Sequence, residues 1–140
     1  MNTPVFLDTA GWFAALSPRD ERHAPASTYY NSALGGGTRF VTTNLVVAEM
    51  HVLLVRRAGV EAGIRFLDSL YADPAHDVVF VTRDIEREAT DRWLRPFADH
   101  PFSLTDAVSF EMMRTERLKA AFTFDRHFAI AGFGLLPYTK

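Results

Sequence analysis

The sequence has no cysteine and almost no lysine. Its 140 residues hold thirteen arginines but only two lysines, Lys119 and Lys140. Without cysteine there are no disulfides and no thiolate metal sites, which fits a cytoplasmic protein. No stretch approaches the roughly 18 continuous apolar residues of a membrane helix, because Glu49 and His51 break the longest run. The N-terminus carries no charged segment followed by an apolar one, so no secretion signal is expected. Nucleotide signatures are missing as well. There is no Gly-Lys-Ser/Thr and hence no P-loop, and Gly35-Gly36-Gly37 follows a predicted helix without the Gly-x-Gly-x-x-Gly spacing. A phosphoacceptor receiver wants an aspartate closing the third strand, where this chain has Thr82-Arg83, and an active-site lysine that is hard to place here. Serine-nucleophile signatures are absent. The five histidines (His23, His51, His76, His100 and His127) show no paired metal-ligand spacing and read as surface residues or supports for another site.

What remains is apolar and aromatic. Hydrophobic residues make up 48% of the chain and aromatics 13%, with twelve Phe, which suits one domain over 1–140 with a substantial core. Short apolar runs predict strands at 4–7, 39–42, 78–81 and 119–124, with Leu135-Leu136 adding a fifth. Helical patterns fall between them, at 10–16, about 23–34, 45–57, 60–72 and 83–97, and from Thr105 onward. Gly35-Gly36-Gly37, Gly59 and Asp73-Pro74 close three of these helices, and Thr43 or Asn44 caps another. Neither repeats nor a domain linker interrupt the pattern. Strands alternating with helices predict a three-layer α/β/α fold around a parallel sheet. Ligands of such sheets sit at the carboxyl ends of strands, where strand order reverses. Asp8 closes the first strand and Asp125 the fourth, so the two share a crevice if those strands are neighbours.

Several of the seventeen acids have a basic partner three or four residues away on a predicted helix. Asp84, Glu86, Glu88, Asp91, Glu61, Glu111 and Glu116 all do. Such pairs belong to solvated faces and contribute about 0.2–0.5 kcal/mol each. Glu49 has only Leu45, Val46, Val52 and Leu53 at those positions, and Asp106 has Phe102, Ser103, Ser109 and Phe110. Burying unpaired carboxylates raises their pKa or destabilises the fold, and four together repel one another. A hard divalent cation with oxygen ligands resolves both problems. Simpler readings stand beside this one. Asp106 can complete a capping box with Ser103, Asp8 and Asp125 can cap the helices that follow them, and Glu49 can pair with a distant arginine such as Arg114.

Four stretches together are distinctive: Leu-Asp8-Thr, Thr-Asn-Leu-Val-Val-Ala-Glu49, Ser-Leu-Thr-Asp106-Ala-Val-Ser-Phe and Thr-Phe-Asp125-Arg-His-Phe128. The chain resembles the PIN-domain ribonucleases, most closely the VapC-type toxins of type II toxin–antitoxin pairs, from residue 5 to about residue 133. The resemblance implies a five-stranded parallel sheet of order 3-2-1-4-5, Mg²⁺- or Mn²⁺-dependent endonuclease action on RNA, homodimers, and a small cognate antitoxin. It places Asp8, Glu49, Asp106 and Asp125 as the catalytic, metal-binding quartet, with Thr9, Ser109 and Thr123 supporting them by hydrogen bonds. Where some members carry a further acid after the fourth, this chain has Arg126 and His127.

The formal charge of −2 looks wrong for a nucleic-acid binder. With the quartet neutralised by metal, however, fifteen basic residues face thirteen acidic ones, a net of +2. Arg83, Arg87, Arg114 and Arg126 are the phosphate-contact candidates, since guanidinium groups grip phosphate oxygens bidentately. Two alternatives have the same residues to work with. One is a nuclease of this fold for RNA processing or DNA; the other is a non-catalytic module whose acids bind a partner's arginine.

Overall fold

Each apolar run becomes a strand, and all five strands lie parallel in one sheet. The structure, a computed structural model, describes residues 3–137; the ends of the 1–140 span, Lys140 among them, lie outside that range. The strands are β1 (Val5–Leu7), β2 (Phe40–Thr43), β3 (His76–Val79), β4 (Ala120–Phe122) and β5 (Gly134–Leu136). Their order is β3-β2-β1-β4-β5, as the resemblance implied. Val5 and Phe6 pair with Phe40 and Val41 on one side, while Phe6 and Leu7 pair with Ala121 and Phe122 on the other. Every residue of β1 and β2 is buried. That is why neither strand alternates polar with apolar residues: both faces of a parallel sheet are covered.

The third strand begins two residues earlier than 78–81 predicts. His76 pairs with Phe40 and Val79 with Thr43. Past that point the Val81 N–H leaves the ladder and donates to Asn44 Oδ1 at 2.8 Å. His76 enters the strand because its ring belongs to the core, stacked on Trp12 and Phe40, with Nε2 2.6 Å from the Tyr30 hydroxyl. The side chain is only 5% exposed, so this histidine packs into the core rather than standing on the surface.

Helices cover the two faces in separate groups. On one face α1 (Thr9–Leu16) packs against α2 (His23–Gly35) and α3 (Asn44–Ala58), and α3 packs against α4 (Val60–Ala72). Thr43 caps α3, its Oγ1 accepting from the Val46 N–H. Gly59 joins α3 to α4 at φ +97°, a conformation that L side chains rarely adopt. On the other face α5 (Arg83–Ala89) packs on α6 (Leu104–Thr115), and α6 contacts α7 (His127–Ile130). The helix predicted over 83–97 is shorter than that. After α5 it passes into a π-helical turn, Thr90–Leu94, and stops before Pro96, which has no N–H to continue it. Among the described residues no helix is long and apolar enough to cross a membrane.

Glu111 departs most from its sequence reading. It is only 3% exposed rather than part of a solvated face. Arg114 grips it through Nε and Nη2 at 3.1 and 2.8 Å, Trp93 Nε1 donates at 3.2 Å, and Arg92 Nε stands 3.2 Å away. Burial pushes the carboxyl up, but the Arg114 and Trp93 hydrogen bonds with the two guanidinium charges bring it below its ordinary value. The arrangement ties α6 to the π-helical turn and occupies Arg114.

Gly11 sets how closely α1 approaches the sheet. A Cβ there would lie 2.5 Å from the Phe122 carbonyl oxygen, a backbone atom that has no room to move aside. Gly11→Ala is therefore expected to lose about 1–3 kcal/mol in urea unfolding. Gly35→Ala, where a Cβ meets nothing within 4 Å, stays within about 1 kcal/mol of wild type.

Candidate metal centre at the carboxyl edge of the sheet

The pairing of Leu7 with Phe122 brings the ends of β1 and β4 side by side, and the next residue on β1 is Asp8. The Asp8 N–H continues the ladder onto the Phe122 carbonyl at 3.2 Å. Thr123, just after β4, donates its hydroxyl to Asp8 Oδ2 at 2.7 Å and accepts the Asp125 N–H at 2.9 Å. One hydroxyl thus ties the two strand-end acids together. Asp8 occupies the N-cap position of α1, but its side chain makes no capping bond. It faces the centre instead.

Helix α6 delivers the third acid. Ser103 and Asp106 form a complete capping box, with Asp106 Oδ2 accepting the Ser103 N–H and Ser103 Oγ accepting the Asp106 N–H, both at 3.0 Å. The simpler reading of Asp106 is correct, and it does not exclude the sharper one. The same Oδ2 lies 3.0 Å from His127 Nδ1, which is itself 3.7 Å from Asp125 Oδ1. One donor atom each from Asp106, Asp125 and His127 falls within 4.8 Å of the others. Asp106 Oδ1 and Asp125 Oδ2 make no hydrogen bond among the described residues.

Glu49, on α3, is not among the three residues whose donor atoms meet. Its Oε1 accepts from Thr9 Oγ1 at 2.8 Å, so the residue after Asp8 holds it in place. The side chain is exposed rather than buried on the apolar face of its helix. It borders a groove of about 430 Å³ lined also by Thr9, Ala48, Val52 and Leu53. Ser109 is fully buried, and its hydroxyl donates to the Thr105 carbonyl at 2.7 Å inside α6. Arg87 sits 3.4 Å from Asp84 on the surface of α5, and Arg83 is exposed at that helix's first position.

Arg126 is exposed and lines a cleft of about 500 Å³ together with Arg22, Pro25, Thr123 and Phe124. Arg22, which sequence reading did not single out, stacks its guanidinium 4.8 Å over the Phe124 ring. Neither arginine pairs with a carboxylate among the described residues. No local signal marks Arg22, because it lies about a hundred residues from Phe124 along the chain.

Among the described residues, no lysine or arginine forms an ion pair with Asp8, Glu49, Asp106 or Asp125. Asp8 carries the electrostatic consequence. Burial, with the Asp125 and Asp106 charges added, pushes its carboxyl up to about 7 against the opposing Thr123 and Thr9 hydrogen bonds. Carboxylate oxygens without cationic partners are the donor set of hard divalent cations, so the residues present fit such an ion.

This chain belongs to the PIN domain family, whose profile matches residues 5–134. It is 33% identical over 129 residues to the 23S rRNA-specific endonuclease VapC20 of Mycobacterium tuberculosis, in strains CDC 1551 and H37Rv alike, covering 92% of this chain and 95% of that one. The crystal structure of VapC20, described as a Sarcin-Ricin loop cleaving toxin, superposes with a TM-score of 0.81 at 31% identity. It too covers 92% of this chain and 95% of its own.

The raised pKa of Asp8 sets a pH dependence. The unfolded chain releases this proton near pH 4, the folded one near pH 7, so the folded state holds more protons between those values. Stability of the metal-free protein therefore falls as pH rises through that window and levels off above it. Asp8→Asn removes the penalty and is expected to stabilise the metal-free protein at pH 8 by about 2–4 kcal/mol relative to its effect at pH 4, measured by urea unfolding at both values.

Proposed function

We propose that this protein is a metal-dependent endoribonuclease, the toxin of a type II toxin–antitoxin pair, acting as one nuclease domain in the cytoplasm. The observation that carries the reading is the convergence of Asp8, Asp106 and Asp125 at the ends of β1 and β4, where, among the described residues, no lysine or arginine pairs with them and the one basic neighbour is His127. Carboxylates crowded together without a cation repel one another, and for buried Asp8 that costs stability.

The proposed ligands of Mg²⁺ or Mn²⁺ are Asp8, Glu49, Asp106 and Asp125. When bound, such an ion supplies an acidified water and Lewis acidity toward the phosphoryl oxygen. The chain's part is positioning. Thr123 fixes the Asp8 carboxylate, Thr9 donates to Glu49, and the capping box holds Asp106 at the positive end of α6. Attack in line leaves 5′-phosphate and 3′-hydroxyl ends.

For the substrate, the VapC20 relatives support 23S rRNA and its sarcin-ricin loop as the first candidate. Of the arginines proposed for phosphate contact, Arg126 is best placed, and Arg22 joins it in the cleft beside Thr123. Glu111 holds Arg114 and Asp84 neighbours Arg87, while Arg83 is exposed at the first position of α5. A small cognate antitoxin and a homodimer complete the proposal.

The direct test is cleavage of total RNA and of intact ribosomes with Mg²⁺ or Mn²⁺, with and without EDTA, followed by end mapping. Cleavage in 23S rRNA that EDTA abolishes is expected, and Asp106→Asn, whose amide oxygen can still cap α6, should lose at least about 100-fold in kcat. A variant that cuts at the wild-type rate overturns the assignment. Arg22→Ala with Arg126→Ala is expected to raise KM and leave kcat nearly unchanged. The slope of log affinity against log salt should also flatten by about 1.4, from the loss of two phosphate contacts to single-stranded RNA.

A further inference from the structure

We infer that His127 is a nitrogen ligand of the cation in this centre and that it biases the site toward Mn²⁺ over Mg²⁺. The inference rests on the metal-centre reading above and adds a donor of different chemistry to it. His127 Nδ1 lies 3.0 Å from Asp106 Oδ2 and 3.7 Å from Asp125 Oδ1. Two neighbouring ligands of an octahedral ion, each about 2.1 Å from the metal, stand about 3.0 Å apart. The His127–Asp106 spacing matches that of two ligands of one ion.

The ring is held in this orientation from two directions. The His127 N–H donates to Asp125 Oδ1 at 2.9 Å, anchoring the residue to the acid it would share an ion with. Phe102 meets the imidazole edge-on, with ring centroids 5.3 Å apart at 69°. Nε2 makes no hydrogen bond among the described residues, so it can carry the ring proton while the Nδ1 lone pair faces the acids. Without metal, Nδ1 and Asp106 Oδ2 stand at hydrogen-bond distance; with metal, the ion takes the place between them.

Donor chemistry then sets selectivity. Mg²⁺ is small and dehydrates reluctantly, and it prefers oxygen. Imidazole suits the transition series, whose affinity for nitrogen sites rises from Mn²⁺ onward. An all-carboxylate centre gives Mn²⁺ less advantage than one that includes His127.

The test uses the full chain. Pulsed electron paramagnetic resonance of the Mn²⁺-loaded wild type is expected to show nitrogen coupling from a directly bound imidazole, a readout that needs no variant. Calorimetric titration with each ion should give a Mn²⁺ to Mg²⁺ affinity ratio that His127→Asp lowers at least about tenfold. His127→Gln, checked for an unchanged melting temperature without metal, should lose the nitrogen coupling. A wild type without coupling, or a ratio unchanged in His127→Asp, overturns the inference while leaving the carboxylate centre standing. If Asp106→Asn binds Mn²⁺ as tightly as wild type, the carboxylate centre itself fails, and the inference fails with it.

Discussion

One strand pairing decides where negative charge collects. Because β1 lies directly beside β4, with Leu7 opposite Phe122, the residues that follow each strand emerge together at the same edge. Asp8 and Asp125 then stand close enough for a single threonine hydroxyl to serve both. Had the chain laid β4 next to β3, the two acids would lie strands apart and no centre would form. The crossover through α5 and α6, which carries the chain to the far side of β1, also swings the start of α6 over this edge and brings Asp106 with it.

The centre works against the fold that holds it. Asp8 is 6% exposed and cannot shed its charge into water, while the residues around it add negative charge rather than remove it. The surrounding structure offsets this cost: Phe6, Phe122 and Phe128 are fully buried beneath the site, and the capping box makes Asp106 useful to α6 even without metal. Glu111, one turn further along the same helix, shows the opposite solution. It is buried as deeply as Asp8, yet two arginines and a tryptophan satisfy it. The contrast between the two acids separates a carboxylate neutralised by cationic partners from one that has none.

Much of this was legible in the residues. The order of strands and helices followed from apolar runs punctuated by glycine and proline, and the strand order followed from the family resemblance. Asp8 and Asp106 stood out because nothing basic lies within a helical turn of them, and Asp125 because it closes the fourth strand. The same rule misread Glu111, since Arg114 at three residues looked like a surface pair while Arg92 and Trp93 lay on another element. It also misjudged the surroundings of Glu49, whose apolar neighbours line an open groove rather than a closed core. Arg22 gave no local signal, because it acquires its meaning from Phe124, far along the chain. His127 reads only as a surface or supporting residue, although it follows Asp125 by two positions. His76 became a core residue through stacking on Trp12 and Phe40, contacts that no spacing announces.

The double duty of Asp106 and the single duty of Asp8 age differently. A descendant that had lost its need to cut RNA would still gain from an acid that starts α6, so the third acid survives disuse. The first acid has no such shelter, because without metal its burial penalises the charged form and its side chain makes no capping bond in return. Among diverged copies of this chain, retention of the aspartate at position 8 is the more telling mark of a nuclease still in service.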